Sequence, residues 1–371
     1  MKITTRDFTL FILLHFFFLF IVSAQTENLW TKEAPVNLFL FQKNTKTAAP
    51  KTKIIYKLDL KQLKQKLQNT TSSKRRSLKT PEIILPFPDV KGNFQNYKVT
   101  EAATLSPELQ QKFPNIRSYI GVSNDSLKTI IRFSLSNLGL HSMKLKASGS
   151  SEFIDPYTKD ALTYSVYSKS DIEFSRTEYT CKVLDNVTNN LKRKISNTAK
   201  TNISDGKLRT FRLALSCTGE YSEFHIADQG LELGTDEEKK EAILSAMNIS
   251  MTRINGVFEK EMALSMVLVP NNDELIFLDP TTDGYTSNDD FSMIDEVQAK
   301  CDAIIEPENY DIGHLFNTGS SGLAVSNSPC TNYKAAAVSG RSPAKGDDFD
   351  IDFVAHEMGH QFGATHTFNN S

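Results

Sequence analysis

Ile351-Asp-Phe-Val-Ala-His356-Glu357-Met-Gly-His360-Gln-Phe-Gly363-Ala-Thr-His366 is the stretch from which the rest of the chain is read, and it holds three of the seven histidines. His356 and His360 are four residues apart, so on a helix they project from one face about one turn apart and both imidazoles can reach a single metal ion. Glu357 lies at the edge of that face, where it can touch a metal-bound water without ligating. Ile351, Ala355, Met358 and Phe362 follow helical spacing on another face, the one expected to pack on the core. Gly363 permits a positive φ that turns the chain back, which makes His366 a third ligand. Three neutral imidazoles leave the fourth tetrahedral position for water, the arrangement of a catalytic Zn2+ site, whereas structural zinc sites are closed, usually by cysteines. Zinc lowers the pKa of such a water toward about 7, and Glu357 is placed to act as general base. The extended pattern arises by chance in on the order of one chain in a hundred thousand. His141, His225 and His314 lie outside it and read as structural.

Upstream of this stretch the periodicity alternates between strand and helix. Phe211, Leu213, Leu215 and Cys217 alternate with polar or small residues, a strand with one buried face. Thr235-Asp-Glu-Glu238 is a capping box that opens a helix with the stripe Ile243, Leu244, Met247, Met251, Ile254 and Phe258. Residues 262–269 read as a buried strand ending at Pro270, and 275–278 as another short one. Ser287-Asn-Asp-Asp290 begins a second helix with Ile294, Val297 and Cys301 on one face, and 310–316 and 322–325 read as further strands. Residues 206–371 are thus predicted to form a mixed α/β (α+β) domain with a mostly parallel sheet. Ahead of it, residues 80–170 read as a β-rich domain in which Ile131, Phe133 and Leu135 alternate with polar partners, while Pro86, Pro88, Pro107, Pro114 and Pro156 punctuate the runs. Helices are expected at 60–67 and 107–112. The polar stretch 185–206 is a linker, and Lys74-Arg-Arg76 and Leu191-Lys-Arg-Lys194 read as solvated loops or processing sites.

The 371 residues suffice for about two domains, and 39% hydrophobic with 23% charged residues excludes wholesale disorder. The formal charge of −2 argues against a nucleic-acid partner, but it hides an asymmetry. Residues 25–205 carry 29 basic and 16 acidic side chains, and residues 206–371 carry 11 and 27. Opposite charges of this size fit two halves that bind each other. Lys2 and Arg6 precede an apolar run over 8–22 and the small-residue site Val22-Ser-Ala24, so residues 1–24 read as a signal peptide of a secreted protein. That run falls short of the roughly 20 residues a membrane span needs, and no membrane anchor is expected. Export permits disulfides among Cys181, Cys217, Cys301 and Cys330. Cys217 and Cys301 both point from apolar faces, as a mutual disulfide or as two buried thiols.

With its zinc motif, with Tyr310-Asp-Ile-Gly-His-Leu-Phe316, with Gly322-Leu323-Ala324 followed by Cys330, and with Phe349-Asp-Ile-Asp-Phe-Val-Ala355, the chain resembles the metzincin zinc endopeptidases. The likeness is to their reprolysin (adamalysin-like) branch, especially secreted bacterial forms. Leu85-Pro-Phe-Pro-Asp89 and the segment from Ser106 to Pro114 resemble the propeptide that precedes such enzymes. The resemblance implies a zinc metalloendopeptidase acting on proteins or peptides, made as a zymogen, with residues 25–205 as propeptide and intramolecular inhibitor. It makes Gly322, Leu323 and Ala324 the sheet edge that pairs with substrate, which is sensible because an edge offers unpaired N–H and C=O groups to any extended peptide. It makes Cys181 a candidate cysteine switch, although Thr180-Cys181-Lys182-Val183 lacks the family's flanking Pro and Gly. A surface or disulfide cysteine is the other reading. Family members continue past the third histidine to a Met-bearing turn, a helix and the partner of a cysteine resembling Cys330, so a C-terminally truncated domain is expected. Asp347, Asp348 and Asp350 are candidate Ca2+ ligands, or acids favoured near a helix N-terminus. The alternative function is a non-enzymatic secreted module that binds zinc or a partner through an incomplete protease fold.

Overall fold

A computed structural model of the chain describes residues 28–33, 50–68, 83–172, 180–184, 205–287 and 289–366. The segments read as a signal peptide (1–24) and as basic processing candidates, and the expected linker up to residue 204, lie outside these residues.

The N-terminal half is one nine-stranded antiparallel sheet. Its strands are β1 (Trp30–Lys32), β2 (Ile54–Leu58), β3 (Ile83–Pro88), β4 (Phe94–Glu101), β5 (Arg117–Ser123), β6 (Ile130–Ser136), β7 (Gly139–Leu145), β8 (Glu152–Pro156) and β9 (Thr163–Ser168). Helices α1 (Leu60–Gln68) and α2 (Pro107–Lys112) sit where their periodicity placed them. The sheet starts at Trp30 rather than near residue 80, because β2 pairs with β9 and β1 with β2. Those strands are short, three and five residues, which hid them among polar neighbours. Pro86 and Pro88 do not break a strand; they lie within β3, the outermost strand, where a missing N–H costs no ladder bond on the open side. One face of β6 buries Ile131, Phe133 and Leu135 in an aromatic core with Trp30, Phe87, Tyr97 and Tyr164.

The C-terminal half is built on a six-stranded sheet in the order β10-β14-β15-β13-β11-β12, to which the N-terminal half contributes β10. Its members are β10 (Thr180–Leu184), β11 (Arg209–Cys217), β12 (Leu264–Leu268), β13 (Ile312–Asn317), β14 (Ser321–Val325) and β15 (Ala337–Gly340). All pairs are parallel except β14 with β15. Helix α3 (Gly219–Gln229) follows β11, and α4 (Asp236–Met262) opens with the Thr235–Glu238 capping box. The six stripe residues of α4 are all buried against one face of the sheet. Each contributes about 1.5–3 kcal/mol by burial. Helix α5 (Asp290–Ile304) covers the other face; its N-cap is Asp289, whose carboxylate accepts from the Phe291 amide.

Of the two readings of the cysteine pair, two buried thiols is the one found, and one strand expectation fails. Cys217 and Cys301 are free thiols on opposite faces of the sheet, Cys217 in the α4-side core and Cys301 in the α5-side core. Burial pushes the Cys217 thiol up to about 12. Residues 275–278 form no strand, because Asn272–Leu275 is a 3-10 turn. The Asn272 side chain binds the backbone of Leu215 at 2.8 and 2.9 Å, taking a strand partner's place beside β11.

Helix α4 is the shared wall between the two halves. Opposite its apolar stripe it presents Asn248, Thr252, Arg253 and Gly256 to the N-terminal sheet. Asn248 accepts from Ser118 at 2.9 Å, and Thr252 bonds the same hydroxyl at 2.7 Å. A Cβ on Gly256 would come within 2.9 Å of the Arg132 side chain, so the helix approaches as closely as it does because residue 256 has none. The charge asymmetry reappears as ion pairs across the boundary: Lys112–Asp273 at 3.0 Å, Arg132–Glu259 at 3.0 Å, and Lys169 with Asp347 and Asp352 at 2.8 and 2.7 Å. The N-terminal half also covers both edges of the C-terminal sheet, since β10 lies on β14 while Leu268 exchanges backbone bonds with Thr104 and Ser106 beyond β12.

Among the described residues one pair runs the other way, and it belongs to a buried network. Arg253, 2% exposed, reaches Asp155 of β8 at 2.6 Å and Asp350 at 2.9 Å. Burial opposes ionisation of Asp155, but Arg253 and the His141 ring, 2.7 Å away, hold its carboxyl well below the usual range. Removing one member of such a set strands the others in a dry interior. Arg253→Ala should therefore lower the free energy of unfolding by about 3–5 kcal/mol in urea titration. A loss under about 1 kcal/mol would show that water reaches the network freely. Among the described residues no helix is long and apolar enough to cross a membrane.

Candidate metal centre

The first two zinc-motif histidines, His356 and His360, stand on a helix that changes its winding. Asp348–Ala355 is π-helical and α6 (His356–Gln361) continues it as an ordinary α-helix. The wide turn separates positions that a uniform 3.6-residue period would align. Ala355 and Met358 enter the α4-side core with Phe362 packed on it, as the stripe anticipates, but Ile351 packs instead with Phe153 and Tyr167 of the N-terminal half. Phe362 meets Phe211 and Phe258 edge-on, with ring centroids 5.1 and 5.9 Å apart. Gln361, fully buried, donates to the Gly313 carbonyl at 2.9 Å and accepts from His314 at 2.8 Å. His314 also bonds Ser339 at 2.8 Å, so it ties β13, β15 and α6 together, and burial lowers its pKa to about 4. His225 bonds the Ala344 carbonyl at 3.1 Å.

After α6 the chain reverses at Gly363, whose φ is +92°. A Cβ there would run into the Asn327 side chain, so conformation and space both require glycine. The reversal brings Ala364 back to accept from His360 Nδ1 at 2.7 Å, leaving His360 Nε2 as the lone-pair atom. It also swings His366 onto the same point.

Four donor atoms converge there: the Nε2 atoms of His356, His360 and His366 and the Sγ of Cys181. The nitrogens are 3.0, 3.2 and 3.2 Å apart, and the sulfur lies 3.2, 3.3 and 3.4 Å from them. These are the six edges of a nearly regular tetrahedron. Zinc with nitrogen ligands at about 2.0–2.1 Å and sulfur at about 2.3 Å needs edges of about 3.3–3.6 Å, so this donor set fits the ion closely. Burial, with the neighbouring imidazoles adding to it, lowers the His356 pKa to about 4 and also lowers that of His360, so both favour the neutral form that metal coordination requires. Glu357 is fully buried beside this point, and its carboxylate interacts with Cys181. Burial first, and then Glu357, push the Cys181 thiol well above its ordinary value; a divalent cation among the donors would reverse that preference.

Gly322, Leu323 and Ala324 lie on β14, and the strand paired with them is the chain's own β10, with Cys181 opposite Gly322, Lys182 opposite Leu323 and Val183 opposite Ala324. Of the aspartates considered for calcium, Asp347 pairs with Lys169, Asp348 with Arg341 at 2.8 Å, and Asp350 with Arg253. The cations take the place an ion would fill, and among the described residues the only metal-binding grouping is the one around Cys181. Sequence spacing found the histidines, but Gln361, His314 and Arg253 carried no local signal.

Residues 244–367 match the family described as metallo-peptidase family M12B, reprolysin-like. The match runs from the middle of α4 through the third histidine. It supports a reprolysin-like zinc metallopeptidase, a hydrolase class whose substrates are proteins or peptides, and the His/Cys cluster fits metal binding. No curated protein matches the chain.

Proposed function

We propose that the chain is a secreted zinc metalloendopeptidase held as a zymogen, with residues 1–24 as signal peptide, 25–205 as propeptide, 206–371 as the catalytic portion and 185–206 as the linker whose cleavage releases it. The observation that supports this best is the convergence of three imidazoles and the Cys181 thiol on one point next to the buried Glu357 carboxylate. His356, His360 and His366 would hold the zinc, which supplies a Lewis acid for water and for the scissile carbonyl. In this reading Glu357 takes the proton from the attacking water and delivers it to the leaving amine. Cys181 fills the fourth position, so the donor set of the intact chain is complete. Strand β10 fills the edge Gly322–Leu323–Ala324 at the same time, so one short segment keeps both water and substrate out.

A closed set of one cysteine and three histidines also resembles a structural zinc site, and that favours the second reading, a non-enzymatic zinc-binding module. Casein hydrolysis separates the two. The zinc-loaded full-length protein, cut in the 185–206 linker, is expected to hydrolyse casein, to stop when the metal is chelated, and to resume when zinc returns. Bound zinc without turnover after that cut would establish the module.

A further inference from the structure

Strand β10 divides its side chains between the two faces of the sheet. Cys181 points to the metal side. Lys182 and Leu184 point to the α5 side, where Leu184 packs on the cluster containing Leu323 and Val325. Lys182 Nζ stands 5.0 Å from the centroid of the Phe291 ring. Phe291, in the first turn of α5, is 49% exposed, a large ring that the core does not use. Asp289 caps the same helix, and its carboxyl is held below the ordinary value, chiefly by the Ser292 hydroxyl, with the Lys182 charge adding to the effect. The ring face attracts a cation, and the aliphatic stem of a lysine covers the apolar surface beneath it.

We propose that Phe291, with Asp289 beside it, is a recognition subsite for a basic side chain of an extended peptide substrate, and that Lys182 occupies this subsite in the intact chain. The proposal rests on the peptidase reading above. Any strand that pairs with β14 alternates its side chains as β10 does, so every second substrate residue faces α5. Those residues meet an aromatic face with an adjacent acid, then an apolar strip at Leu323 and Val325. The substrate class is therefore an extended segment with Lys or Arg two residues from an apolar side chain. The charge of residues 206–371, with 27 acidic against 11 basic side chains, draws cationic segments toward this edge.

Two measurements test the proposal. In the zinc-loaded full-length protein activated by linker cleavage, a set of peptides in which one Lys or norleucine is moved along a neutral sequence should show a Lys preference at one position. Phe291→Ala should cut that Lys-over-norleucine ratio in kcat/KM by about three- to five-fold, and Asp289→Asn should cut it further. In the uncleaved protein, alkylation of Cys181 by iodoacetamide, followed by peptide mass mapping, should be several-fold faster in Lys182→Glu than in the parent, with Lys182→Arg close to the parent. Hydrolysis with no Lys preference, or a preference that survives Phe291→Ala, rejects the subsite, and unchanged alkylation in Lys182→Glu rejects its occupation by Lys182. Absence of any hydrolysis by the activated parent protein rejects the peptidase reading itself, which is a separate outcome.

Discussion

Glu357→Gln should lower kcat/KM for peptide hydrolysis by about 10²–10⁴-fold in the activated protein, while zinc stays bound at one ion per chain. Both halves of that expectation come from geometry. Glu357 contributes no atom to the tetrahedron of donors, so its loss should leave the metal in place. Its carboxylate is nevertheless fully buried and adjacent to Cys181, which in the proposed reading occupies the position that water takes in an open catalytic site. Glutamine keeps the volume and one acceptor oxygen but cannot take up and release the proton. Kinetics with a quenched fluorescent peptide, alongside metal analysis of the same sample, provides the check. Activity within about five-fold of the parent would remove Glu357 from the chemistry, and lost zinc would give it a ligand's role instead.

Cys181→Ala should raise the basal activity of the uncleaved protein on the order of 100-fold, the factor that corresponds to a latch worth about 3 kcal/mol. The thiol sits within 3.2–3.4 Å of all three imidazole nitrogens, so alanine opens the fourth position. Strand β10 still covers β14 in this variant, which is why the gain should stop short of the activity reached on full removal of the N-terminal half. The assay compares uncleaved parent, uncleaved variant and linker-cleaved parent on one peptide. Equal basal rates in the first two would mean that the strand alone imposes latency and that the sulfur is incidental.

The histidine cluster was legible in the sequence because its geometry is local: spacings of four and six residues and one glycine suffice to place three rings. The Cys181 contact was legible only through the family resemblance and only as one of two readings, since the thiol lies far from His356 along the chain and its neighbours Thr180, Lys182 and Val183 lack the flanking residues of the switch motif. Only the parallel pairing of β10 with β14 delivers it. Alternation and capping located β11, α4 and β14 for the same local reason. They left Cys217 and Cys301 open between a disulfide and two buried thiols, because apolar character marks both faces of a sheet covered by helices on each side and does not say which side a thiol occupies. The stripe through Ile351 assumed one winding, and the π-helical segment 348–355 rotated that residue toward the N-terminal half. The opposite charges of the two halves were visible as composition; that they meet in ion pairs across the boundary, with Arg253 as the reversed pair among the described residues, needed the fold.

The central claim is that one zinc ion is held by three imidazoles and the Cys181 sulfur in the intact chain. X-ray absorption at the zinc edge of the uncleaved, zinc-loaded protein tests it most directly. The account predicts three nitrogen scatterers at about 2.0–2.1 Å and one sulfur at about 2.3 Å, with the sulfur shell absent in Cys181→Ala while the nitrogen shell and the zinc remain. A shell of nitrogen and oxygen alone in the parent protein, or a sulfur shell that persists in Cys181→Ala, would contradict it.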